Sequence, residues 1–475
     1  MTMLASQNPN RRQFLARSAN GFGLVAANWL LGRDALGQSS PYSEKQVHFN
    51  ARAKRVIHIC ALGGLSHVDS FDYKPELERR NGEEYKPPGY DPFFGQPGKL
   101  LNSPFEFQQH GESGRWVSSL LPHLATCADD LTFVNSMHTR ISNHTPATFL
   151  ENTGFTFNGF PGLGAWVSYG LGSENHDLPA FVVLPDSRGL PAGGSINWSA
   201  GFLPAVHQGV AFRSRGEPIA DLKTPESITP AARAAASGFL NELNRDFAAA
   251  NPAEDAFQSR IRSYELAAKM QLSVPDLVDF EKGETAATKK LYGLENAASA
   301  DFGRNCLLAR RLCERGVRFV QLFNGGAFGG RPRINWDAHE DIKLNHGNQA
   351  ATLDQPVAGL IKDLKSRGML EETIVLVTSE FGRTPVTQGL KGKGRDHHPD
   401  AFTVFMAGGG FRPGVSYGAS DQLGFQATDR PQQFYDIHAT LLHLLGMDHE
   451  ALTFYHNGIQ RRLTDVHGKV IRGII

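Results

Sequence analysis

The sequence predicts an α/β protein: a mostly parallel central sheet flanked by helices, with one helical insertion. Three observations carry this. Six short apolar runs, rich in β-branched residues, each end in small or polar residues: RVIHICALGG, LTFVNSMHTR, AFVVLPDSRG, VRFVQLFNGG, TIVLVTSEFG and AFTVFMAGGG. Near-continuous hydrophobicity of this length suits strands buried on both faces. Helical stretches separate several of them, NCLLARRLCERG before Val317 and QPVAGLIKDLKSRGMLEE before Thr373. Strand–helix alternation of this kind builds parallel sheets. Finally, 475 residues at 40% hydrophobic content can bury a large core.

From the N-terminus onward, Asn10-Arg11-Arg12-Gln13-Phe14-Leu15 precedes the apolar stretch ANGFGLVAANWLLG and the small-residue segment DALGQ. This order reads as a twin-arginine export signal over residues 1–37, cleaved near Gly37. A linker follows over 38–54 and a single large domain over 55–475. The apolar run is too short and interrupted for a stable membrane span. The expected location is therefore periplasmic or secreted, with the twin-arginine translocase as partner during export. That route carries proteins already folded, often with a cofactor, which accords with a metal loaded before export. The 48 basic and 48 acidic residues cancel, so no net field favours nucleic acid or an acidic membrane surface.

Residues 214–300 depart from the alternating pattern, being rich in alanine and charge. Thr229 is placed to cap a helix with Pro230 at its first position, and Phe239, Leu240, Leu243 and Phe247 share one face. Phe257, Ile261, Tyr264 and Ala268 mark a second helix. Both are expected to pack on the sheet domain. Cys60, Cys127, Cys306 and Cys313 show no CxxC spacing, which argues against a zinc knuckle. Cys306 and Cys313 fall on one helix face about two turns apart, beyond disulfide reach.

Ligands of open α/β sheets bind beyond the carboxyl ends of the strands. The first strand is followed by Ser66, His67, Asp69 and Asp72, the second by His138, His144 and Thr145. Asp337 and His339 follow VRFVQLFNGG, and Glu380 follows TIVLVTS. Mixed imidazoles and carboxylates suit a borderline divalent cation, zinc or manganese first. GRDHHP, residues 394–399, instead precedes a strand. If His397 or His398 reaches the same sheet edge, the strand AFTVFMA must run antiparallel to the others. The alternative is a polar turn in which Arg395 pairs with Asp396 and Pro399 ends it.

At these residues the sequence resembles the bacterial domain family of unknown function numbered 1501, sulfatase-like proteins of the alkaline phosphatase superfamily. The matching segments are GGLSHVDSFDYKP, HTRISNHTPATFLENTG, NWDAHED, SEFGRTP, GRDHHPDAFTVFMAGGG, YGASD and DIHATLLHLLG, spread from about residue 50 to the end. The resemblance implies an alkaline phosphatase-like fold and one or two divalent metals, calcium being a third candidate. It implies metal ligands at Asp69, Asp337, His339, Glu380 and one of His397 and His398. DIHATLLHLLG would be a scaffold helix with Leu441, Leu442, Leu444 and Leu445 in the core.

Departures from the family pattern shape the expected chemistry. No cysteine begins a Cys-x-Pro-x-Arg motif, His144 stands at the nucleophile position, and Phe381 follows Glu380 where the superfamily has histidine. Three mechanisms stay open. Thr145, Ser142 or Ser66 attacks as a metal-activated hydroxyl; or water activated by the metal attacks, with His144 as ligand or acid/base; or the site only binds. Arg383 or Arg395 would stabilise charge on the ester oxygens. The leading expectation is an exported metal-dependent hydrolase of sulfate or phosphate esters, acting on a polysaccharide or other extracellular polymer. Its competitor is a non-catalytic periplasmic binding or assembly protein that keeps the fold and part of the metal site.

Overall fold

All six apolar runs form strands, and five further strands complete the framework. In this computed structural model they are, in chain order, β1 Arg55–Ala61, β2 Pro97–Leu100, β3 Leu131–Met137, β4 Phe181–Leu184, β5 Val210–Ala211, β6 Phe319–Asn324, β7 Thr373–Thr378, β8 Gly382–Gln388, β9 Arg395–His398, β10 Phe402–Ala407 and β11 Ser416–Tyr417. The structure describes residues 45–86, 93, 96–213, 218–219, 227–250, 261, 266, 269–270, 273–326 and 333–475. Of two compact units, Met1–Ser43 and Glu44–Ile475, the second contains every described residue. The expected leader over 1–37, linker residues 38–44, and Phe257, Tyr264 and Ala268 lie outside the described residues. Among those described, no helix is long and apolar enough to cross a membrane.

Eight strands form the central sheet in the order β11-β3-β10-β7-β1-β6-β4-β5. Strand β1 lies at its centre, parallel to β6 and β7, while β10 runs antiparallel to both of its neighbours, β3 and β7. The geometric demand made on AFTVFMA is thus met. Side chains alternate across a strand, and both faces of this sheet are apolar, which explains the uninterrupted hydrophobic runs. Ile57 and Ile59 pack with Leu307, Leu312, Val357 and Ile361, from helices α4 (Ala300–Glu314) and α5 (Ile342–Ser366). Val56 and Cys60 face the opposite layer, with Trp166 and Leu441 from helices α2 (Leu163–Leu171) and α6 (Phe434–Leu444). Each large aliphatic or aromatic side chain buried this way contributes about 1.5–3 kcal/mol. Leu441, Leu442, Leu444 and Leu445 are all in this core, as the resemblance implied.

One helical expectation changes. Helix α5 begins well before Gln355, at an Asp341 cap whose side chain accepts the Leu344 N–H at 3.0 Å, and Pro356 sits in its interior. A mid-helix proline costs about 3 kcal/mol, here offset by burial of Leu353, Val357, Leu360 and Leu364 along the same helix. In helix α3, Pro230–Ala250, the Thr229 hydroxyl does accept the Ala232 N–H. The four residues of its apolar face, Phe239, Leu240, Leu243 and Phe247, are 64%, 44%, 49% and 51% exposed. All four cysteines are buried and unpaired.

A second, three-stranded sheet sits over the carboxyl ends of the main one, in the order β9-β8-β2. GRDHHP is therefore not a turn: Arg395–His398 forms β9, antiparallel to β8, with Arg383 opposite His397 and Gly382 opposite His398. Helix α1, His144–Thr153, starts at the same edge, with Asn143 accepting the Thr145 N–H at its N-terminus and Gly154 closing it in a left-handed conformation.

Candidate metal centre

The centre is built on Asp337, between β6 and α5. Trp336 is fully buried beside it, its indole donating to Asn324 Oδ1 at 2.9 Å and its backbone N–H to Leu62 O at 2.7 Å. These bonds fix the Asp337 backbone against the turn after β1. Gly63 makes that turn at φ +110°, and a Cβ there would lie 2.5 Å from Asp337 N. Only glycine permits so close an approach.

Three imidazoles converge on Asp337 Oδ1: His339 Nε2 at 2.8 Å, His397 Nε2 at 3.2 Å and His144 Nε2 at 3.3 Å. His339 Nε2 and His397 Nε2 are 3.0 Å apart. The opposite nitrogen of each ring meets an acceptor. His397 Nδ1 donates to Ser142 O at 2.6 Å, His339 Nδ1 to Gln388 Oε1 at 2.6 Å and His144 Nδ1 to Glu380 Oε1 at 2.6 Å. Committing the ring proton to an outer acceptor turns the Nε2 lone pair toward the centre, as in protein metal sites.

Charge distinguishes two of these rings. Burial drives the His397 imidazole down to about 2, with Arg383 adding to the effect and only Asp337 opposing it, so the ring is neutral. For His144 burial also disfavours charge, but hydrogen bonds to Asp337 and Glu380 outweigh it and raise its pKa. Burial raises Asp337 in turn, and the Arg383 cation together with the three imidazoles pulls it far below the carboxylate range. A hydrogen bond between His339 and His397 would need a second proton on one ring. A divalent cation shared by both lone pairs and Asp337 needs none. Tetrahedral zinc with bonds near 2.0–2.1 Å sets ligand atoms about 3.3 Å apart, close to the 2.8–3.2 Å found among Asp337, His339 and His397. The residues fit a cation.

A cavity of about 510 Å³ opens over this cluster, walled also by Phe93, Asn143, Thr145, Arg333, Glu340 and Gln388. Sequence reasoning missed Arg333, Gln388 and the carbonyl role of Ser142. Arg333 ion-pairs with Asp337 four residues on and with Glu340 at 3.0 Å, a spacing visible in RINWDAHE. Nothing local marks Gln388, which reaches His339 only through the fold of β8.

Several sequence-predicted site residues serve the scaffold instead. Asp69 does not join the cluster: both of its oxygens accept from the Arg395 guanidinium, at 2.7 and 3.0 Å, and neither side chain is exposed. Burial pushes the Asp69 carboxyl up, but that guanidinium holds it below its usual value. Ser66 donates its hydroxyl to Asp69 Oδ2 at 2.5 Å and is fully buried, away from the cavity. Arg383 is engaged by Asp337 at 2.5 Å and by the carbonyls of Gly63, Gly64 and Arg395, which removes it from substrate. Glu380 stands behind His144, its carboxylate held by the Gly63 N–H at 2.9 and 3.1 Å, and so orients that ring instead of reaching the centre. His398 points to the far side of β9 from His397, as neighbours on a strand must, with Nε2 2.6 Å from Phe425 O. His67 and Asp72 bond to Gly424 O and to Ser420 and Lys74. Thr145 does line the cavity, half-buried beside His144.

A family model described as "Protein of unknown function (DUF1501)" matches residues 53–475. No curated protein matches the sequence. Among solved structures, the chain is similar to the lipoteichoic acid synthase LtaP from Listeria monocytogenes, at 12% identity and TM-score 0.35, covering 89% of this chain and 78% of that one. It is also similar to a protein in the alkaline phosphatase superfamily from Vibrio parahaemolyticus, at 12% identity and TM-score 0.34, covering 87% and 71%. Similarity to an alkaline phosphatase from the Antarctic bacterium TAB5 is at 10% identity and TM-score 0.35, covering 85% and 100%.

Proposed function

The chain belongs to the DUF1501 family, and from that premise we propose that it is an exported, metal-dependent hydrolase of sulfate or phosphate esters, acting on a polysaccharide or other extracellular polymer. One observation carries the metal: the Nε2 atoms of His339 and His397 face each other at 3.0 Å beside Asp337 Oδ1, each ring having committed its Nδ1 proton elsewhere. Asp337, His339 and His397 would hold the cation, leaving a position open to the cavity as catalytic sites do. Zinc or manganese suits this donor set better than calcium, which prefers oxygen ligands. When bound, the cation supplies Lewis acidity toward an ester oxygen and toward an attacking water.

The chain's own groups divide the remaining work. His144, whose pKa is raised by hydrogen bonds to Asp337 and Glu380, would donate the proton that the leaving group needs. Arg333, in the cavity wall and ion-paired with Asp337 and Glu340, would take the charge-stabilising role that the sequence suggests for Arg383 or Arg395 by exchanging Glu340 for an ester oxygen. Helix α1 begins at the cavity, and its N-terminal dipole favours an anionic ester there. Thr145 is the candidate hydroxyl nucleophile on that wall.

The non-catalytic binding reading also draws on an observation: Ser66, Arg383 and Arg395 are all bound to protein partners. Metal analysis of protein purified without chelator, followed by a panel of aryl sulfates, phosphate monoesters and phosphate diesters, separates the two. Turnover that disappears in His397→Ala supports the hydrolase. Full metal occupancy with no turnover on any class favours binding, and metal-free protein refutes both metal readings.

A further inference from the structure

We propose that His58, Cys60 and Glu151 form a second, fully buried site for a borderline divalent cation, zinc above all, separate from the centre at the cavity. His58 and Cys60 are two apart on β1, so both point to the same face of the sheet. Glu151 reaches them from α1. One donor atom from each lies within 4.8 Å of the others. His58 Nε2 donates to the Thr378 hydroxyl at 2.8 Å, which leaves Nδ1 as the lone pair of that ring; it lies 3.9 Å from Cys60 Sγ, against an edge of about 3.5 Å for tetrahedral zinc with bonds of about 2.3 Å to sulfur and about 2.0–2.1 Å to nitrogen.

A second observation points to an absent ligand. Glu151 is 1% exposed, yet its Oε2 has no hydrogen-bond partner among the described residues. Its other oxygen accepts from the Thr378 hydroxyl, which in turn accepts from His58 Nε2 at 2.8 Å. Leaving a buried acceptor unmatched is unfavourable, and binding a cation there removes the defect. Charge balance agrees: one thiolate and one carboxylate neutralise a divalent ion, and the imidazole adds none. An outer layer is also present. Gln321 Nε2 lies 3.8 Å from Cys60 Sγ and donates to Asn152 Oδ1 at 2.5 Å, as second-layer amides do around metal thiolates. Because the site is sealed within the core, the cation would enter during folding and exchange slowly.

The test uses an Asp337→Asn/His397→Ala protein, in which the cavity centre is disabled. After dialysis against chelator it is expected to keep about one equivalent of zinc, since structural sites bind tightly, and after refolding with cobalt to show a thiolate-to-cobalt charge-transfer band. Glu151→Gln, nearly the same shape, should weaken metal binding at least about tenfold while its far-UV spectrum stays native, and Cys60→Ser should lose the band while Cys127→Ser and Cys306→Ser keep it. Cobalt-loaded protein with no thiolate band, or a Glu151→Gln variant that keeps its full equivalent, overturns the proposal. Should Cys60→Ser fail to fold, the wild-type cobalt spectrum and Glu151→Gln still decide it. None of these outcomes depends on turnover, so the hydrolase reading can fail alone.

Discussion

Replacing Asp69 by asparagine separates a scaffold role from a ligand role. Asp69 and Arg395 are wholly enclosed, joined by two hydrogen bonds of 2.7 and 3.0 Å, and Ser66 adds a third to the carboxylate. The substituted amide would keep the shape and one acceptor but leave the guanidinium without its counter-charge, facing only the carbonyls of Thr384 and Leu101. Breaking a buried ion pair by removing one partner costs about 3–5 kcal/mol. That is a large share of the stability of a typical domain. Urea unfolding monitored by fluorescence should show the midpoint falling with an unchanged slope, while elemental analysis of the folded fraction at low urea finds the same metal content as wild type. A loss below about 1 kcal/mol would show that the pair is not the buried anchor described. Folded Asp69→Asn protein lacking cavity metal would falsify the reassignment and restore Asp69 as a ligand.

The adjacent histidines of β9 should part company. His397→Ala is expected to abolish metal binding at the cavity, whereas His398→Ala costs about 2 kcal/mol of stability through a lost buried hydrogen bond and a small void and leaves metal content intact; equal metal loss in both contradicts the register. Gly63→Ala places a methyl 2.5 Å from Asp337 N at φ +110°, so calorimetry should show a destabilisation of at least about 1–3 kcal/mol together with weaker metal binding. For pH, burial lowers His346 to about 3 and His67 to about 4, below the unfolded value near 6.5. Their contribution is complete above that value and is lost as pH falls, because the unfolded chain takes up protons the folded one refuses, each group costing about 1 kcal/mol per pH unit. Urea midpoints should therefore drop between about pH 6.5 and about pH 4.5, and the slope should lessen in His346→Gln. A flat profile would mean that these rings are not buried neutral.

The layers of this protein were legible because they rest on local signals. Runs such as TIVLVT and FTVFMA must be covered on both faces wherever they lie. Helix extents were less legible: α5 runs back through Pro356 to its Asp341 cap, and the four residues on the apolar face of α3 are each more than 40% exposed. The candidate site was legible as chemistry: Asp337, His339, His397 and His144 were all singled out, by residue type and by their position after or before strands.

By itself, then, the sequence determined which residue types stand at the strand ends, the antiparallel demand on β10, and the family. Only the tertiary structure decided which of these residues form the centre. A carboxylate is a ligand or an ion-pair partner according to what approaches it, and Arg395, more than three hundred residues away in sequence, approaches Asp69. An imidazole presents a lone pair only if its other nitrogen meets an acceptor, and those acceptors, Ser142 O, Gln388 and Glu380, come from separate segments. His397 faces the cavity and His398 the interior because β9 pairs with β8 in one register, a choice made by the hydrogen-bond ladder and invisible in GRDHHP.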